Sequence, residues 1–106
     1  MSATNRLSLL QYEHLSLGGA AAAQFTIALK DLEVLDLPTR YENSAALYLG
    51  DIAEASDREQ LASAKGQGIG FAQGLLAAKA ISEKKSEELC SVYRSAAERA
   101  KAGLPA

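Results

Sequence analysis

The fold class is decided most clearly by residues 82–102, which read SEKKSEELCSVYRSAAERAKA. Ser82 is a favourable N-cap residue, and the apolar positions after it recur at the three- and four-residue spacing of one helix face. These positions are Leu89, Val92, Tyr93, Ala96 and Ala100. Gly103 and Pro105 then supply the stop signals expected after a helix. The stretch predicts a C-terminal α-helix with one buried face.

The composition of the whole chain favours helices in the same way. Its 106 residues include 21 alanines and 16 leucines but only two valines and four isoleucines. Alanine and leucine are strong helix formers, whereas strands favour β-branched and aromatic residues. With 48% apolar residues the chain can bury a core, and its length fits a single helical domain over residues 1–106. We expect an all-α fold.

Two capping signals divide the middle of the chain. An apolar helical stripe runs through residues 21–35 and ends before Pro38, because the residue before a proline is pushed out of the α region. Residues 39–42, TRYE, and residues 56–59, SDRE, each have the spacing of a capping box, in which a hydroxyl and a carboxylate satisfy free backbone donors. New helices are expected at both. The prediction is a four-helix arrangement of antiparallel hairpins with short loops.

The N-terminal segment, residues 1–19, gives a less definite pattern. Residues 7–17 show helical spacing, which we favour, but they also alternate as a strand would. Gly18 and Gly19 then interrupt any helix by a kink or a break. The predicted helical core therefore spans residues 20–102.

Charge and the rare residues exclude several classes of site. The chain has 11 Lys+Arg and 13 Asp+Glu, a net charge of -2, so it lacks the basic field that attracts nucleic acid. One cysteine and one histidine, Cys90 and His14, exclude a disulfide framework and the multi-ligand zinc and histidine centres. Cys90 is expected to pack as a small apolar residue, with an intermolecular disulfide or a redox role as the alternatives. We predict no catalytic residue, no cofactor and no metal, and hence no enzyme.

Neither a membrane span nor a secretory signal is favoured. The longest apolar run, residues 15–29, is shorter than the roughly 18–20 residues of a spanning helix. Residues 21–23, AAA, resemble a signal cleavage site, but glycine and serine dilute the apolar stretch before them. We expect a cytoplasmic protein with no membrane partner.

The glycines of residues 66–74, GQGIGFAQG, form a different pattern from a phosphate-binding loop. The G-x-G-x-x-G spacing, the lysine–serine or lysine–threonine pair and a preceding strand are all missing. Instead, small residues recur every four positions at Ala62, Gly66, Gly70, Gly74 and Ala78. We call these five residues the small-residue ridge. It predicts the close approach of a second helix, from this chain or from another subunit, with a helix break or a ligand site as the alternatives.

Leucines in two segments exceed what one helix face can bury. The candidate interface residues are Leu7, Leu10, Leu17, Leu47 and Leu49. Surplus leucine on two faces indicates a surface that another protein chain covers, most simply in a homodimer. Isolated exposed leucines are also common in monomers.

In size, mild acidity and helical pattern over residues 20–102, the chain resembles bacterial antiactivators such as the quorum-sensing antiactivators. These are small helical proteins that bind a transcription factor and block it. The resemblance implies a non-enzymatic regulator or inhibitor that binds a partner protein. One alternative is a DNA-binding helix-turn-helix at the Ala55–Ser56 turn. Another is a carrier of an apolar ligand, against which the small-residue ridge argues.

Overall fold

Four α-helices follow one another in residues 19–104, the part of the chain that our computed structural model describes. They are α1 (Gly19–Val34), α2 (Thr39–Glu54), α3 (Arg58–Ala77) and α4 (Glu83–Ala102). Three to five residues connect successive helices, and no β-strand occurs between residues 19 and 104. The predicted all-α arrangement of four helices with short loops is confirmed. The prediction for residues 7–17 lies outside the described residues.

Successive helices run antiparallel. Helices α1 and α3 each pack against both α2 and α4, while α2 and α4 contact each other across the middle. Near one end of the α1–α4 pair, Gln24 Nε2 donates to Arg99 O at 3.3 Å. Near the other end, Lys85 Nζ donates to Leu35 O at 2.7 Å. Helix α3 therefore occupies an outer position, with one side toward α2, one side toward α4 and the rest toward solvent.

Helix α2 begins without the predicted capping box. Its N-cap is Pro38, which makes no side-chain cap hydrogen bond, and Thr39 is already the first helical residue. The Pro38 carbonyl instead accepts from the backbone N–H groups of Tyr41 and Glu42 at 2.9 and 3.0 Å. Proline carries a φ of −52° here, within the range that its ring imposes and that suits a helix start. The capping-box prediction for residues 39–42 is therefore wrong.

Helix α3 begins one residue later than the predicted box. The N-cap is Asp57, whose Oδ1 accepts from the Gln60 backbone N–H at 2.7 Å. Gln60 Oε1 reaches back to accept from the backbone N–H and the hydroxyl of Ser56, at 3.0 and 2.8 Å. The capping predicted for the Ser56 and Glu59 side chains is thus made by Asp57, which accepts from Gln60, and by Gln60, which accepts from Ser56.

The predicted C-terminal helix is confirmed, including its cap. The Ser82 side chain accepts from the Lys85 backbone N–H at 3.1 Å. All five apolar positions of the predicted stripe are buried: Leu89, Val92, Tyr93, Ala96 and Ala100. Tyr93 is the one residue of this stripe whose side chain carries a polar group. Its side chain is fully buried, and its hydroxyl donates to Ala45 O at 3.1 Å.

Helix α3 ends in a backbone conformation that usually requires glycine. Lys79 has a φ of 59°, in the left-handed region. The backbone N–H of Ala80 donates to Leu75 O and that of Lys79 donates to Leu76 O, both at 2.9 Å. This pair of hydrogen bonds is the Schellman pattern, in which the left-handed position is most often glycine. A lysine at this position is strained.

Candidate functional site

Helix α3 presents a long exposed surface that carries little side-chain bulk and no charge. We call it the outer face of α3, and it includes all five residues of the small-residue ridge. Its members are Ala62, Ser63, Gly66, Gln67, Gly70, Gln73, Gly74, Ala77 and the adjoining Ala78, all exposed. Charged residues make up 23% of the chain, so nine exposed positions without one set this surface apart.

The small-residue ridge packs against no described part of its own chain. A Cβ atom built on Gly66, Gly70 or Gly74 would meet nothing within 4 Å. The possibility that the ridge packs against another helix of the same chain is therefore wrong for residues 19–104. Close approach by a helix of another chain stays a prediction.

The buried side of α3 lies on the far side of the helix from Gly70. It consists of Leu61, Ala64, Gly68, Ala72 and Leu75. The close approach that the ridge was expected to make occurs here, at Gly68. A Cβ atom on Gly68 would lie 2.7–2.9 Å from three ring atoms of Tyr93 on α4. Gly68 lies four residues from Ala64 and four from Ala72, within the stripe that Leu61 and Leu75 bound.

Carboxylates line the side of the outer face that lies toward α2. An open groove of about 610 Å³ separates the end of α2 from the start of α3. We call its four acidic residues the acidic flank: Asp51, Glu54, Asp57 and Glu59, all exposed. Among residues 19–104, no lysine or arginine lines this groove. The described residues that line it therefore carry a net negative charge.

Cations line the opposite side of the outer face, toward α4. A smaller groove of about 260 Å³ has an apolar floor formed by Leu61, Ala62 and Ala97. We call its three cationic residues the basic flank: Arg58, Lys65 and Lys101. Of the residues between 19 and 104, Glu98 is the one anion that lines it. None of the three cations forms an ion pair within residues 19–104, where the observed ion pair joins Arg99 and Asp31.

The candidate interface leucines do not form one surface. Leu47 is 52% exposed on α2, as an interface residue requires, whereas Leu49 is only 1% exposed and belongs to the core. The interface prediction is therefore wrong for Leu49. The buried stripe of α2 is wider than the predicted one, since Ala46 and Leu49 are buried beside Ala45 and Ile52. Leu7, Leu10 and Leu17 lie outside the described residues.

Glu42 was predicted to cap the start of α2, but its carboxyl group lies in the core. Glu42 is 2% exposed, and its Oε1 atom has no hydrogen-bond partner among the described residues. Burial raises the pKa of this carboxyl, and the nearby Glu33 and Asp36 raise it further. The group therefore favours its neutral form more than an exposed glutamate does.

Within the described residues, no cluster of three or more histidine, cysteine or acidic side chains has the geometry to hold a metal ion. Cys90 is a buried free thiol that packs in the core, as the prediction of a small apolar residue requires. His14 lies outside the described part of the chain. None of helices α1 to α4 has both the length and the apolar content needed to span a bilayer.

Comparison of the chain with protein-family models, with curated protein sequences and with solved structures finds no match.

Proposed function

We propose that this protein is a non-enzymatic interaction module, a small cytoplasmic regulator or inhibitor that binds a partner protein. The antiactivator-like design, in which a helical protein blocks a transcription factor, is the form of regulation that we favour. The observation that carries the proposal is the exposed, uncharged outer face of α3. It is the surface through which we expect the partner to bind.

The glycines of the outer face support a packing role. Gly66, Gly70 and Gly74 each weaken a helix by up to about 1 kcal/mol relative to alanine. At these positions the described chain offers no contact that offsets this loss. The missing side chains would let the backbone of a second helix approach closely, which gains dispersion contacts along the whole ridge. Binding to another chain would therefore explain why glycine occurs at these three positions.

The relation between α2 and α3 favours a protein partner over DNA. The two helices form an antiparallel hairpin, and the rings of Tyr48 and Phe71 lie 5.1 Å apart well away from the connection. The helices of a helix-turn-helix instead cross at roughly 90–120°. The start of α3, moreover, carries the acidic flank beside Arg58 and Lys65, so it lacks the uniformly positive surface that a recognition helix needs near phosphates.

Capture of proteins from the native cell lysate tests the proposal, with the unmodified chain compared with Gly70→Arg. Arginine at position 70 would cover the outer face, and no described atom lies in its way. The control is Ala23→Arg, which adds the same charge at an exposed position on α1. We expect a set of proteins that the unmodified chain and Ala23→Arg retain and Gly70→Arg loses. Equal retention by all three chains would contradict the proposal.

A further inference from the structure

We propose that the outer face of α3 binds the same face of a second copy of this chain, with the two α3 helices parallel and a two-fold axis running between them. The inference rests on the proposed function, because it uses the same face and names the occupant. It is carried by the opposite charges of the acidic and basic flanks.

The size of the outer face shows that the flanks must take part. From Ala62 to Ala78 the face is about 24 Å long at 1.5 Å per residue. With the width of one helix, this strip offers about 250 Å², whereas a stable interface buries about 800 Å² per partner. Contact must therefore extend sideways from α3 onto the grooves beside it. Both grooves are lined by charged residues.

A parallel two-fold pairing brings opposite charges together on both sides. Seen from the partner, one copy has its acidic flank on one side of α3 and its basic flank on the other. Rotation by 180° about an axis along α3 exchanges these sides, so the basic flank of each copy faces the acidic flank of the other. Arg58 and Lys65 then lie toward the partner's Glu59 and Asp51, and the same contacts occur a second time because the interface is isologous.

An antiparallel pairing lacks this complementarity. Both flanks lie beside the first half of α3, between residues 58 and 67. Reversal of one helix would carry the partner's flanks to the far end of α3. The charges would then face the uncharged second half of the outer face. Electrostatic complementarity therefore selects the parallel arrangement and places its centre near Gly66.

Cysteine cross-linking tests the arrangement directly in the full chain. In a parallel pair position 66 lies opposite its own copy, so Gly66→Cys should form a disulfide-linked dimer under mild oxidation. Positions 66 and 74 are separated by about 12 Å along the axis, beyond the roughly 7 Å that a disulfide spans between Cα atoms. A mixture of Gly66→Cys and Gly74→Cys should therefore give no mixed disulfide. The unmodified chain, whose Cys90 is buried, is the first control, and exposed Ala23→Cys is the second.

Charge reversal tests the complementarity independently. One variant, Arg58→Glu with Lys65→Glu, makes both flanks acidic. Another, Asp51→Lys with Glu54→Lys and Glu59→Lys, makes both flanks basic and keeps the N-cap Asp57. Each alone should dimerise at least about tenfold more weakly than the unmodified chain, and an equimolar mixture should recover the affinity as a heterodimer. Circular dichroism verifies that each variant keeps its helices.

Four results would overturn the inference. A mixed disulfide between positions 66 and 74 would show an antiparallel pair, and equal cross-linking of Ala23→Cys would show non-specific collision. Charge-reversed variants that associate as the unmodified chain does would remove the electrostatic basis. A purified chain that stays monomeric at hundreds of micromolar in sedimentation would exclude the second copy. If the chain is monomeric but proteins from the lysate still bind to it in a Gly70-dependent manner, this inference is wrong and the proposed function is not contradicted.

Discussion

Gly68 of α3 and Tyr93 of α4 are packed so closely that a single methyl group would not fit between them. A Cβ atom on Gly68 would lie 2.7 Å from Cδ1 of the Tyr93 ring. The ring is fully buried, and its hydroxyl donates to Ala45 O on α2 at 3.1 Å. The Tyr48 ring meets it edge-on at a centroid distance of 6.4 Å. Tyr93 therefore connects three helices, and Gly68 provides the space that it needs.

Gly68→Ala should destabilise the protein even though alanine is the better helix former. The added methyl group would push against the Tyr93 ring, and overpacking of this kind costs about 1–3 kcal/mol. The matched control is Gly70→Ala, two residues along the same helix, where the methyl would meet nothing within 4 Å. That substitution should raise the free energy of unfolding by up to about 1 kcal/mol. Urea denaturation of dilute samples checks both, and effects of the same sign would contradict the assignment of the buried side.

Tyr93→Phe should lower the free energy of unfolding by about 1 kcal/mol, because the buried hydrogen bond from its hydroxyl to Ala45 O is lost. Burial raises the pKa of the Tyr93 hydroxyl well above its ordinary value, with smaller contributions from Tyr48 and Cys90. A tyrosine that stays neutral in the folded state while the unfolded chain ionises loses stability as the pH rises above about 10. The unmodified protein should therefore lose stability more steeply above pH 10 than Tyr93→Phe does. If both chains lost stability equally with pH above 10, the result would contradict the burial of the Tyr93 hydroxyl.

Glu42→Gln should stabilise the protein at neutral pH. Folding raises the pKa of this carboxyl above its ordinary value of 4.5, so stability is fully present below that value and falls as the pH rises through the raised one. Glutamine removes the charge and with it this loss. The gain over the unmodified chain should be larger at pH 7 than below pH 4.5, because only the glutamate becomes charged between these two values. Exposed Glu87→Gln is the control, and it should show no comparable pH-dependent gain.

Lys79→Gly should stabilise the chain by relieving the positive φ at the end of α3. Glycine adopts the left-handed conformation without the steric cost of a Cβ atom, so we expect a gain of about 1 kcal/mol. Lys79→Ala removes the same charged side chain but keeps the Cβ atom, and it should give no such gain. Thermal unfolding of the two variants separates the backbone effect from the charge effect. Equal shifts in Tm would show that the charge is responsible.

The four helices could be predicted from the sequence, because their apolar spacing and turn signals are local. The start of α3 was predicted one residue too early, because Ser56 and Asp57 are both favourable N-cap residues. The side of α3 that is buried was harder to predict. Alanine, glycine and serine occur all around this helix, so its hydrophobic periodicity is weak. The contact of Gly68 with Tyr93 is long-range, and only the packed structure distinguishes it from the exposed glycines nearby.

Local patterns predicted that Tyr93 is buried, but they could not predict the hydrogen bond of its hydroxyl or the burial of Glu42. Tyr93 can enter the core because its hydroxyl donates to the Ala45 carbonyl on a different helix. Glu42 has the right spacing from Thr39 for a capping box, but the helix already begins at Thr39. The acidic and basic flanks combine residues of α2, α3 and α4, so they become visible only when the helices are assembled.

The most direct test of the central claim is site-specific photo-cross-linking in the native cell. A photoreactive amino acid placed at position 70 probes the outer face of α3, and one placed at exposed position 23 on α1 serves as the reference. If another protein chain covers the outer face, position 70 should give a discrete cross-linked product that position 23 does not give. A product of twice the chain's mass would identify a second copy, and any other mass a different partner. If position 70 gives no product, or both positions give the same products, the outer face is not an interaction surface and the account is wrong.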